Sequence, residues 1–167
     1  MEKTILQVSI FAIAFGLVEA SVIVYLRHLL GAGYSPPHID RSEILFLTPG
    51  IAFLELQAAV KIIQDTTLLN IERLRETATL MMLAAIAVLT GKKIGDKITF
   101  FFLAFGIWDI FYYIFLRLTI GWPKTLADFD IFFLLPTPWV GPVIVPIVIS
   151  SILVIGSFFI LIREEHD

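Results

Sequence analysis

Apolar residues run along this chain in stretches too long and too uniform for the core of a small water-soluble domain. A membrane-spanning helix needs about 20 mostly apolar residues. Residues 5–30 meet that length, with Glu19 the one charge before Arg27. Residues 97–120 meet it too, with Asp109 standing alone between Lys97 and Arg117. Residues 140–162 carry no charge, only Pro142 and Pro146, which spanning helices tolerate. Residues 69–91 are two-faced: Thr77 to Thr90 is uncharged, but the preceding turns hold Glu72, Arg73, Arg75 and Glu76. The uncharged part alone is too short to cross a bilayer, so the charged turns must enter it or its interface.

Two connections are harder to place. Residues 44–63 are about span length, yet Pro49-Gly50 breaks them early and Glu55, Gln57 and Lys61 punctuate the rest. The pattern reads as an interfacial amphipathic helix, with a re-entrant segment or a fifth span as alternatives. From Gly121 to Gly141 the chain is bracketed by Trp122 and Trp139, aromatic anchors of the headgroup level. Residues 126–135 are expected to form a short interfacial helix. Residues 135–142 cannot be helical throughout, because three prolines remove donors and restrict the residues before them. The expected fold is a single all-α domain: a polytopic bundle of four spans, about 5–30, 69–91, 97–120 and 140–162.

Composition supports a lipid solvent. Of the 167 residues 58% are hydrophobic and only 16% charged, against roughly 25% charged in soluble domains. Mean hydropathy is +0.91. Lys3 and the apolar run after it imitate a secretory signal, but that run continues through residues 21–26, so it reads as a retained helix. Lys92, Lys93 and Lys97 mark the tight loop before the third span as cytoplasmic. Four spans then put both termini in the cytoplasm of a multi-pass cell-membrane protein. Treating Arg27, Arg73, Arg75 and Arg117 as embedded, the remaining lysines and arginines fit five spans equally well. The absence of cysteine excludes disulfides, thiolate metal sites and iron–sulfur clusters. A net charge of −3 with scattered basic residues excludes a nucleic-acid partner. The expected partners are the bilayer, a small ion or solute, and further copies or subunits of a membrane complex.

Candidate chemistry lies in the buried acids. At about 1.5 Å per residue from the cytoplasmic ends, Asp109 sits roughly 17 Å deep, Glu19 roughly 21 Å and Glu76 roughly 22 Å. Three carboxylates on three helices thus share one layer. Glu72, Arg75, Glu76 and Thr79 recur along one helical stripe, and Asp109, Tyr112 and Tyr113, with Trp108 beside them, form another. An unpaired charge at this depth costs at least about 2.5–3.5 kcal/mol. The stripes should therefore face each other, with Arg75 as counter-ion and the tyrosine hydroxyls as donors.

Three readings follow. The layer is a structural ion-pair network, or a site that binds or conducts a cation, proton or small solute through Glu19, Arg75, Glu76, Asp109, Tyr112 and Tyr113. In the third it is the metal centre of a membrane-embedded enzyme, with Glu19, Glu76 and Asp109 as oxygen ligands. Carboxylate metal sites in bundles usually include histidines, and His28 stands roughly 13 Å along its helix from Glu19. His28 reads as interfacial, His38 as a solvated turn residue, and Asp128 and Asp130 as solvated loop acids. Glu164, Glu165 and Asp167 read as a polar tail. No phosphate-binding loop, dinucleotide turn, zinc-protease motif or nucleophile elbow is present.

Several stretches carry a resemblance: residues 72–83 (ERLRETATLMML), 105–113 (FGIWDIFYY) and 135–143 (LPTPWVGPV), with 16–20 (GLVEA) and 25–27 (YLR). Together they resemble a family of small bacterial polytopic integral membrane proteins of uncharacterised function. The resemblance covers most of the chain, although residues 35–70 are longer here than in that pattern. It implies a four-span bundle and no particular activity, so no functional residue carries over from it.

Overall fold

The computed structural model describes residues 2–31 and 40–163. His38, His166 and the polar tail of Glu164, Glu165 and Asp167 lie outside the described residues. Four long helices and a small sheet make up the rest. They follow in the order α1 (Glu2–Leu30), β1 (Ile44–Thr48), β2 (Ile51–Leu54), α2 (Ala58–Ile62), α3 (Thr66–Thr90), α4 (Ile94–Ile120), β3 (Phe129–Phe133), β4 (Trp139–Pro142) and α5 (Ile144–Arg163).

Three of the helices, α1, α4 and α5, are long and apolar enough to cross a membrane. The fourth, α3, has 25 residues but carries its charges between residues 72 and 76. Its buried positions are Leu69, Glu72, Glu76, Thr79, Leu83 and Ala87, one stripe at helical spacing, and its first turn is capped by Asp65. That carboxylate accepts hydrogen bonds from Thr67 N at 2.8 Å and Leu68 N at 3.0 Å. The cap settles where α3 begins, and hence which residues fall on the inward stripe.

Helix α4 is the centre of the bundle and packs against α1, α3 and α5. Two glycines permit the close approach. A Cβ on Gly16 of α1 would meet Trp108 O at 3.0 Å, and one on Gly106 of α4 would meet Ser150 O of α5 at 2.8 Å. Small residues let helix backbones come together where no hydrophobic force separates protein from solvent. Here they bring Glu19 of α1 and Ser150 of α5 up to the face of α4 that bears Asp109.

The expectation of an all-α chain needs correction. Residues 44–63 are not one amphipathic helix: Thr48-Pro49-Gly50-Ile51 turns β1 back onto β2, with Gly50 at φ +86°, and only Ala58–Ile62 is helical. Pro49-Gly50 acts as a hairpin turn rather than a helix break, since glycine alone takes that backbone conformation without strain. Residues 126–135 are likewise not helical but contain β3. The four strands form one antiparallel sheet in the order β1-β2-β4-β3. Alternating apolar residues suit a pleated sheet as well as a short helix, and pairing across three connections decided for the sheet. The proline-rich run of residues 135–142 is non-helical, as expected, and ends as β4.

Candidate functional site

The polar layer is built where α1, α3, α4 and α5 meet and where β3 lies across them. Five carboxylates are buried there, Glu19, Glu72, Glu76, Asp109 and Asp130, none more than 8% exposed. Glu19, Arg75, Glu76, Asp109, Tyr112 and Tyr113, the residues singled out from the sequence, all line one cavity of about 40 Å³. Thr79, Trp108 and the β3 residues Ile131, Phe132 and Phe133 complete most of its wall.

One flank is tied to arginine. Arg75 ion-pairs with Glu19 on α1 and with Glu72 one turn earlier on its own helix, the latter at 2.8 Å. Thr79 Oγ1 donates to the second oxygen of Glu19 at 3.2 Å. Arg27, near the end of α1, reaches Asp130 on β3 at 3.0 Å, and Tyr113 donates its hydroxyl proton to the other oxygen of Asp130 at 3.1 Å. Arg27 also lies over the Trp122 ring, 4.3 Å from its centroid. Trp122 is set in place by the end of α4: Gly121 turns with φ +69°, and Arg117 donates to the carbonyls of Gly121 and Pro123. Burial pushes the Asp130 carboxyl up to about 6, and Arg27 opposes that rise.

On the other flank no arginine reaches a carboxylate at ion-pair distance among the described residues. Both oxygens of Glu76 accept from the backbone N–H of Leu134, at 2.9 and 3.0 Å. Asp109 Oδ2 accepts from the Ser150 hydroxyl at 2.7 Å, and its Oδ1 accepts no hydrogen bond among the described residues. Neither acid forms an ion pair among the described residues. The buried indole N–H of Trp108 likewise has no acceptor among the described residues. Arg73, half-buried on α3, stands outside every ion pair among the described residues.

Two sequence expectations are corrected by this geometry. Glu19, Glu76 and Asp109 do not form a metal-ligand set: among the described residues no three His, Cys, Asp or Glu side chains gather closely enough to hold an ion. Each is instead drawn to its own partner. Asp130 is not a solvated loop acid but a buried member of the layer, whereas Asp128 stays in its turn, accepting from Lys124 N and Thr125 Oγ1. Arg27 and Asp130 are 103 residues apart, and no local pattern pairs them. Ser150 and Phe133 were equally silent in the sequence. His28 is exposed.

No family model, curated protein or solved structure matches the chain. The site must therefore be read from its own chemistry. Five buried acids outnumber the three arginines Arg27, Arg73 and Arg75, and the two acids without an ion pair among the described residues, Glu76 and Asp109, both border the cavity.

Proposed function

We propose that the chain is a four-span protein of the cell membrane whose buried cavity binds a proton or small cation and passes it or couples to it. One observation carries the reading: Glu76 and Asp109 border the cavity held by neutral hydrogen-bond donors, and neither forms an ion pair at contact distance among the described residues. A buried carboxylate in that position is expensive when ionised, and a proton or a bound cation removes the cost. In this proposal α3 is the fourth span, its charged turns shielded by α1 and β3. The lysines at 92, 93 and 97 then face the cytoplasm together with both termini, and the sheet covers the outer end. Membership of the small bacterial membrane family that the motifs resemble belongs to the same proposal.

Flux into proteoliposomes tests it. A trapped pH dye and a potassium-sensitive dye should report entry above the protein-free rate. Asp109→Asn and Glu76→Gln should each lower that entry by about tenfold or more, the scale of losing a buried charge contact. Unchanged flux in both variants overturns the reading.

A second reading, a network that serves assembly alone, is favoured by the Glu72–Arg75–Glu19 and Arg27–Asp130–Tyr113 groups, which are closed within the protein. It predicts that Asp109→Asn alters thermal unfolding while no flux is seen in the wild type.

A further inference from the structure

The walls of the cavity are as informative as its charges. Trp108, Tyr112, Tyr113, Phe132 and Phe133 supply much of the lining, and the rings of Phe133, Trp108, Tyr112 and Tyr113 touch in sequence. Trp108 and Tyr112 lie 6.4 Å apart by ring centroids, Trp108 and Phe133 6.5 Å, and Tyr112 and Tyr113 4.9 Å. Aromatic faces carry negative charge density and attract a desolvated cation. They offer no lone pairs to a hard metal ion, which demands several oxygen ligands at short range. The carboxylates do not supply that shell either, since no three of them converge.

A nitrogen-centred cation suits these surfaces better. An ammonium group carries N–H donors for acceptor oxygens and a diffuse positive charge for rings. Asp109 Oδ1 is an acceptor unused by the described residues, and Glu76 has lone pairs beyond those engaged by Leu134 N. The indole of Trp108, a residue of the cavity wall, has a buried N–H with no acceptor among the described residues, a second sign that something other than protein completes the site. A water lying beside the cation satisfies it. The volume of about 40 Å³ is enough for two or three water-sized bodies, so the ammonium must be small.

We propose that the cavity selects ammonium or a short primary alkylammonium, with Asp109 and Glu76 as counter-charges and Trp108, Tyr112 and Phe133 as π walls. This inference rests on the cation-binding reading above and names the class of cation. The site distinguishes its ligand from K⁺ by N–H geometry and from larger amines by size.

Calorimetric titration of the whole protein in zwitterionic nanodiscs, at constant ionic strength, separates the possibilities. The probes are methylammonium chloride and potassium chloride. Methylammonium should bind about tenfold or more tightly than K⁺, the scale of a desolvated cation–π contact. Phe133→Leu keeps both acids and removes one π wall. It should bring the two affinities to within about threefold by weakening methylammonium alone. Tyr112→Leu provides the same comparison if Phe133→Leu fails to give a monodisperse protein. Equal wild-type affinities, or a preference untouched by removal of a ring, overturn the ammonium assignment. If neither probe binds while protons still enter proteoliposomes, the assignment fails and the proton reading survives. If there is neither binding nor flux, both fail.

Discussion

The two flanks of the polar layer bury the same chemical group under opposite terms. On one, Glu19, Glu72 and Asp130 meet Arg75 and Arg27 at contact distance. On the other, Glu76 and Asp109 receive only a backbone N–H and a serine hydroxyl. A buried ion pair holds a structure together chiefly because breaking it leaves a stranded charge. A buried acid held by neutral donors does little for stability when ionised. The contrast separates acids closed by arginine from acids that the proposed cation reading rests on.

The largest effect should come from the paired flank. Arg75→Met keeps the bulk of the side chain but strands Glu19 and Glu72 together. Removal of one partner of a buried pair costs about 3–5 kcal/mol, so a large fall in the thermal midpoint in detergent is expected. A loss below about 1 kcal/mol would mean that the arginine is a ligand-binding group rather than a structural one, and the comparison would collapse.

Asp130 sharpens the comparison through pH. Burial raises its carboxyl from 3.8 to about 6 in the fold. Between those values the folded chain holds a proton that the unfolded chain has lost, so its contribution to stability falls as pH rises through the window. The swing is on the order of 3 kcal/mol. Wild-type stability measured against Asp130→Asn should therefore improve as the pH is lowered from 7 to 4. Parallel curves for the two proteins would show that Arg27 fully compensates the buried charge.

Gly106→Ala probes the helix contact that serves the unpaired flank. Its Cβ would fall 2.8 Å from Ser150 O, a backbone atom that cannot swing away. Overpacking of this kind costs about 1–3 kcal/mol, and prising α5 from α4 should weaken the Ser150–Asp109 hydrogen bond as well. A stable variant with unaltered cation response would show that the α4–α5 spacing is not what holds Asp109.

How much of this was legible beforehand follows from the range of each interaction. The stripe Glu72, Arg75, Glu76 and Thr79 is local, spaced by the helix itself, and it does face inward with Arg75 as counter-ion. Glu19 and Asp109 stood out because a lone charge in an apolar run must be shielded. The sheet was not legible, since residues 44–54 and 129–142 pair across long separations and their apolar alternation is ambiguous at four or five residues per strand. Missing the sheet meant missing Asp130 and Phe133 together, because β3 is what carries both to the cavity. The metal-ligand expectation failed for a related reason. Depth along a helix axis fixed the layer, but only side-chain partners such as Ser150 and Leu134 N decide where each carboxylate turns.

The smallest effect on stability is also the most diagnostic. Asp109→Asn preserves shape, and its amide oxygen can still accept from Ser150. With no arginine to strand, the change removes a desolvated charge and leaves no counter-ion behind. Stability should change by less than about 1 kcal/mol, or increase, as replacing a buried charge by a neutral group often allows. Glu19→Gln, which frees Arg75 of half its pairing, should be clearly worse under the same conditions. Equal losses in the two variants, measured by the same unfolding assay, would show that the two flanks are energetically alike. Asp109 would then belong to the scaffold, and the proposed cation site would lose an acid whose Oδ1 accepts no hydrogen bond among the described residues.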